Sequence, residues 1–181
     1  MSFVCPWWVA YLFDNRLTRR TQDPEKMLKP YVREGMVVAD IGAGMGRFTI
    51  AAARLVGDQG VVIAADLQQK MLDVLAKRAQ KAGVTSRVRL HRCQQTRIGL
   101  PQPVDLILLC NVVHETPDHE SFLRAIHSLL KPGGTCFLSE PLIHVTAPAF
   151  ERTVALAEAA GFTVQERPNF RFARTVLLAR T

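Results

Sequence analysis

The chain has 181 residues, a size that suits one domain and buries a sizeable core. Hydrophobic residues make up 48% and charged residues 22%, a globular balance that speaks against disorder, a coiled coil or a solenoid. No apolar run reaches the ~18–20 residues of a membrane span, and the net charge of +7 suits an anionic substrate, nucleic acid or a membrane surface, or reads simply as solubility, the preferred reading because basic residues are spread along the chain with small concentrations at 16–20 and 87–97.

The chain opens on an apolar, aromatic stretch, "MSFVCPWWVAYLFDN", that lacks a basic leader and is broken by Pro6, a poor signal peptide. Residues 6–14 suit a short amphipathic helix. Asp23-Pro24-Glu25 supplies an N-cap, a proline at the first helical position and an acidic first turn for a second helix. Residues 1–35 thus read as a helical extension, with Trp7, Trp8, Tyr11 and Phe13 able either to cover a flat substrate or simply to pack.

From residue 36 strands and helices alternate. Strand-like runs are 36–41, 60–66, 87–92, 104–110 and 135–140. Between them lie an Ala-rich helix at 48–56, a helix at 68–82 with Met71, Leu72, Leu75 and Ala79 on one face, and a helix at 117–130 that begins with a proline and ends at "KPGG". A last helix covers 147–160. Strands at 162–167 and 175–179 follow, joined too tightly for a crossover and therefore antiparallel. The fold class is α/β: a Rossmann-like three-layer sandwich over 36–181, with a seven-stranded, mostly parallel sheet and one antiparallel strand.

The cysteines Cys5, Cys93, Cys110 and Cys136 are scattered singly, so they read as reduced thiols of a cytoplasmic protein, and no metal-ligand spacing is present. The informative stretch is "VADIGAGMG" at 38–46. A strand ends at Asp40–Ile41 and the chain must turn tightly into a helix at the sheet edge where open α/β sheets bind ligands. Nicotinamide proteins space their glycines G-x-G-x-x-G; here Gly42, Gly44 and Gly46 run G-x-G-x-G. Asp40 would face a pyrophosphate poorly and a cationic ammonium well, which favours S-adenosylmethionine. Asp66, ending the second strand, can accept from a ribose diol or can cap the next helix.

Four segments in order, "VVADIGAGMGRFTI", "VVIAADLQQKML", "VDLILLCNVVHE" and "SLLKPGGTCFLSEP", resemble the class I S-adenosylmethionine-dependent methyltransferases, in particular the small-molecule group around ubiquinone and menaquinone biosynthesis. The resemblance spans roughly residues 30–181. It implies that Asp40, Gly42, Ala43, Gly44 and Gly46 wrap the methionine part of the cofactor, and that Asp66 holds the ribose with Leu67 beside the adenine. It further implies that Cys93, Gln94 and Gln95 edge the adenine, and that Cys110 and Asn111 lie near the transferable methyl. S-adenosylhomocysteine would be the product. Gln94 stands where the family commonly has an aspartate, so the adenine amine would meet a neutral acceptor rather than a charged one.

In-line methyl transfer asks chiefly for alignment, and a general base is needed only when the acceptor must lose a proton. His114 and Glu140, at the ends of the fourth and fifth strands, are the candidates. His119, His127 and His144 read as structural or exposed. The expected acceptor is a small molecule, with an anionic one compatible with the charge. Against a nucleic-acid acceptor, "CNVVHE" lacks the Asn/Asp-Pro-Pro-aromatic motif of base-amine methylation and no appended RNA-binding domain is present. The alternatives are an RNA or protein methyltransferase and a non-catalytic cofactor binder on the same fold.

Overall fold

The computed structural model describes residues 23–94 and 97–181. The expected helix at 6–14, its aromatic side chains and Gln95 lie outside the described residues. Among the described residues eight strands form one sheet: β1 (Val37–Ile41), β2 (Val61–Asp66), β3 (Val88–Arg92), β4 (Val104–Cys110), β5 (Leu130–Pro141), β6 (Phe162–Glu166), β7 (Asn169–Phe170) and β8 (Ala173–Arg180). The α-helices among the described residues are α1 (Pro24–Leu28), α2 (Arg47–Leu55), α3 (Gln69–Lys81), α4 (His119–Leu129) and α5 (Ala147–Ala159).

The strand order is β3-β2-β1-β4-β5-β8-β6, with β7 paired to β8. All contacts from β3 through β5 are parallel, and β8 runs antiparallel to both β5 and β6. The one reversed strand follows from the short β6–β8 connection. The expected count of seven becomes eight because Asn169–Phe170 folds back on Ala173–Arg174, a pairing too short to read from residue pattern. The chain moves outward from β1 through β2 to β3, then returns to place β4 on the other side of β1. That reversal opens a crevice at the carboxyl ends of β1 and β4.

Alternate strand residues feed two apolar layers, as a period of two requires. Val38, Val62, Leu106 and Leu108 meet α1, α2 and α3, while Ala39, Ile63, Ile107 and Leu109 meet α4 and α5. Met27 and Leu28 of α1 are buried in the first layer, so this part of the expected extension shares the sheet's core.

Among the boundaries that differ from expectation, two have a clear local cause. The helix expected from 117 starts at His119, because Asp118 is its cap and accepts from Ser121 N at 3.0 Å. β5 starts at Leu130 rather than 135: Leu130 pairs with Val104, and the register shifts before Leu106 pairs with Thr135. "KPGG" therefore belongs to an irregular strand entry.

Candidate functional site

A cavity of about 1270 Å³ lies over the crevice. Its floor is the glycine turn. Gly42 N and Ala43 N both donate to Ala65 O, at 2.8 and 3.1 Å, which ties the end of β1 to β2. Gly42 has φ +72°, and a Cβ there would lie 2.6 Å from Val112 Cγ2. The turn and the loop after β4 thus touch with no room for a side chain. A Cβ on Gly44 would meet nothing nearer than 4.0 Å, so that position opens onto the cavity. Gly46 does not line the cavity. Its Cβ would strike Leu75 Cγ at 2.6 Å, so this glycine lets the turn lie close against α3.

Two buried carboxylates line the cavity at adjacent strand ends. Asp66 Oδ2 accepts from Gly44 N and Oδ1 from Gln68 N, both at 2.8 Å. One side chain thereby fixes the glycine turn and the entry to α3, so both readings of Asp66 are compatible. Each oxygen keeps a second lone pair for an incoming hydroxyl. Asp40 is 2% exposed, and its Oδ2 accepts from Thr49 Oγ1 at 2.6 Å. Burial, reinforced by the like charge of Asp66, pushes the Asp40 carboxyl up to about 6 against the Thr49 hydrogen bond. Asp66 is also raised, again mainly by burial. Thr49 is not among the residues expected at the site, although a threonine on the inward face of an Ala-rich helix is a signal for a buried polar partner.

Leu67, Cys93 and Gln94 line the cavity beyond Asp66. Gln94 and Arg97 exchange backbone hydrogen bonds at the rim, 3.0 Å from Gln94 N and 3.2 Å from Arg97 N. Burial raises the Cys93 thiol to about 11 and the Cys110 thiol well above its ordinary value. Neither thiol is a ready nucleophile at neutral pH. Asn111 has φ +60°, the only positive value among the described non-glycine residues, and its N–H donates to Ser139 O at 2.8 Å. Asparagine tolerates this left-handed conformation better than most residues, and it turns the chain away from β4 at the cavity.

Across the cavity stands a histidine–carboxylate pair. Glu140 is 2% exposed and does not line the cavity. Its Oε1 accepts from Val113 N at 2.8 Å and from His114 N at 3.4 Å, and its Oε2 is hydrogen-bonded to His114 Nδ1. His114 does line the cavity, and its ring stacks on that of His144 at 5.8 Å between centroids, tilted by 10°. The Glu140 hydrogen bond raises the His114 pKa, partial burial opposes it, and the charges of Glu140 and Glu115 add to the rise. Held at Nδ1 by a carboxylate, the neutral ring carries its lone pair on Nε2. The buried Glu140 thus orients His114 and is kept from direct contact with a cavity ligand. His144, expected to be structural or exposed, is exposed and also lines the cavity, because the short turn after β5 brings Val145 N back onto Pro141 O at 3.0 Å.

The wall beside this pair is apolar. Phe122, Leu142, Ile143 and Phe172 line it, and Leu142 N donates to Phe172 O at 3.3 Å, linking the β5–α5 and β7–β8 turns. Ile143 is 79% exposed, a large apolar side chain at the cavity mouth.

Strand order, glycine turn and paired strand-end acids define the class I, S-adenosylmethionine-dependent methyltransferase fold. The chain belongs to the family described as "Methyltransferase domain", whose profile matches residues 38–134, just over half of it. It is 30% identical over 124 residues to a ubiquinone/menaquinone biosynthesis C-methyltransferase of Enterobacter sp., covering 66% of this chain and 49% of that protein. It is 35% identical over 111 residues to the Vibrio campbellii counterpart, covering 60% of this chain and 42% of that protein. The chain thus spans about half the length of the curated relatives it matches. A crystal structure of a SAM dependent methyltransferase from Aquifex aeolicus superposes with a TM-score of 0.87 over 98% of this chain and 100% of that one, at 22% identity, a likeness of fold.

Proposed function

We propose that this protein is an S-adenosylmethionine-dependent methyltransferase of a small molecule. The observation that carries the reading is the pair of buried carboxylates, Asp40 and Asp66, lining one cavity on either side of a glycine turn. The residues present suit the cofactor: Asp66 keeps acceptor capacity for a ribose diol, Asp40 supplies a buried anion for the ammonium group, and Gly44 leaves backbone open to the cavity. Leu67, Cys93 and Gln94 would border the adenine, while Cys110 and Asn111 would stand near the methionine end.

The bound cofactor supplies an activated methyl group on a sulfonium. The chain's own residues then align and deprotonate. The apolar wall of Phe122, Leu142, Ile143 and Phe172 favours a flat, apolar acceptor and excludes water from it. His114 takes the acceptor's proton at Nε2, and Glu140 orients the ring and stabilises the imidazolium. The relatives' C-methylation fits such a base, since a carbon nucleophile flanked by a hydroxyl or carbonyl must shed a proton. The scattered single cysteines favour a cytoplasmic setting.

Calorimetry with S-adenosylmethionine and S-adenosylhomocysteine tests the reading. Both should bind, and Asp66→Ala should weaken them by about 2 kcal/mol, roughly 30-fold, the scale of a lost charged hydrogen bond. Unchanged affinity in a folded variant would refute the ribose assignment.

A further inference from the structure

The surplus positive charge of this protein lies in one region. Residues 67–103 hold eight of the chain's 23 lysines and arginines but only one of its 16 aspartates and glutamates, a surplus of seven. The other 144 residues hold 15 of each sign. In sequence the region is only mildly basic at any one point. The fold gathers it, because α3 packs on β2 and β3, and β3 is the terminal strand of the sheet.

On α3 the buried stripe of Met71, Leu72, Leu75 and Ala79 leaves Lys70, Lys77 and Lys81 on the solvent side. On β3 Arg89 and Arg92 are exposed, and Arg97 stands at the cavity rim. Lys77, Lys81, Arg89, Arg92 and Arg97 form no ion pair among the described residues. Arg87 is paired with Asp58, and the region's single acid, Asp73, accepts from Gln69 Nε2 at 3.0 Å.

We infer that this basic edge, formed by the outer face of α3, strand β3 and Arg97, binds the phosphate backbone of a nucleic acid. A lone charged edge strand can serve merely to discourage strand pairing, but that purpose does not call for lysines on the outer face of the neighbouring helix. A membrane surface fits less well. The region exposes one large apolar residue, Leu90 at 44%, and the exposed Leu142, Ile143 and Phe172 lie beyond β1 and β4 at the other end of the crevice. The region holds no Phe, Tyr or Trp for base stacking. Binding is therefore by phosphate contact, independent of sequence and steeply weakened by salt. This inference does not rest on what the cavity methylates.

The test is fluorescence anisotropy of the full chain with a labelled 20-nucleotide oligouridylate, from 50 to 200 mM salt, alongside a DNA duplex of equal length. With about five phosphate contacts, affinity for the single strand should fall roughly 100-fold over that range. The triple variant Lys77→Gln, Arg89→Gln, Arg92→Gln should flatten the log–log salt slope by about 2. A control triple, Lys29→Gln, Arg33→Gln, Arg152→Gln, removes the same charge elsewhere and should leave the slope unchanged. Preference for the duplex, with its steeper slope per contact, would keep the assignment and specify the form bound. Equal losses in the two triples, no binding at 50 mM salt, or binding to phosphatidylserine vesicles in place of either nucleic acid would overturn it.

Discussion

The two walls of the cavity are built in opposite ways. The wall around Asp40, Gly42, Gly44 and Asp66 is made by strand ends and tight turns close in sequence, held by backbone hydrogen bonds to Ala65 O and to the Asp66 carboxylate. The wall around His114, Glu140, His144 and Phe172 is assembled from three separate turns. Its central hydrogen bond joins residues 26 apart. The family profile ends at residue 134, so it includes His114 but stops short of Glu140, Leu142, His144 and Phe172. A shared fold secures the first wall and leaves the second open to variation, as expected where scaffold and specificity are separable.

Breaking the second wall should cost rate and spare cofactor affinity. His114→Ala is expected to lower kcat by about 10²–10⁴-fold, the range of a lost general base, with S-adenosylhomocysteine affinity unchanged by calorimetry. Glu140→Gln adds a directional readout. In the native protein the rate should rise with pH as His114 loses its proton, on a limb displaced upward by Glu140. In the variant the limb should move down in pH while the plateau falls. A purely structural Glu140 would lower the plateau and leave the limb in place.

Breaking the first wall should cost stability. Gly42→Ala combines a φ of +72° with a 2.6 Å approach to Val112 Cγ2, and about 3 kcal/mol of lost stability is expected from urea unfolding. Gly44→Ala meets no such contact and should lose only about 1–2 kcal/mol, the cost of its left-handed backbone. If the two variants were equally stable, the Val112 contact would not be the reason for glycine at 42.

The smallest effect is a pH dependence within the first wall. With the Asp40 carboxyl near 6, cofactor affinity should decline as pH falls through 6, by at most about tenfold per unit, and Asp40→Asn should flatten that decline. The unliganded protein responds in the opposite sense. A carboxyl raised by folding contributes its stability fully below its ordinary value of 3.8 and loses it as pH rises through about 6. Acidification from 6 toward 4 should therefore strengthen this group's contribution to folding while weakening cofactor binding. Calorimetry and thermal melts on the same samples separate the two.

Much of this was legible beforehand for local reasons. Apolar runs with period two or 3.6, glycines at strand ends and prolines near helix starts act within a few residues, and they mark the five parallel strands, their helices and an antiparallel final pair. The β7 pairing escaped because two residues carry no period. The spacing marks Gly46, yet the side chain that requires a glycine there is Leu75 of α3, far along the chain. The bond from Thr49 to Asp40 and the stacking of His144 on His114 are not legible in sequence, since polar residues reveal their partners only when distant elements meet.

By itself the sequence determined the layered fold and the acidic, glycine-lined cofactor turn, because these are set by hydrophobic period and backbone sterics over short spans. Tertiary structure decided which carboxylate faces the cavity and which stands behind a histidine. It also decided that modest basic stretches on α3 and β3 form one charged edge, because side-chain burial and charge proximity depend on which elements the sheet order makes neighbours.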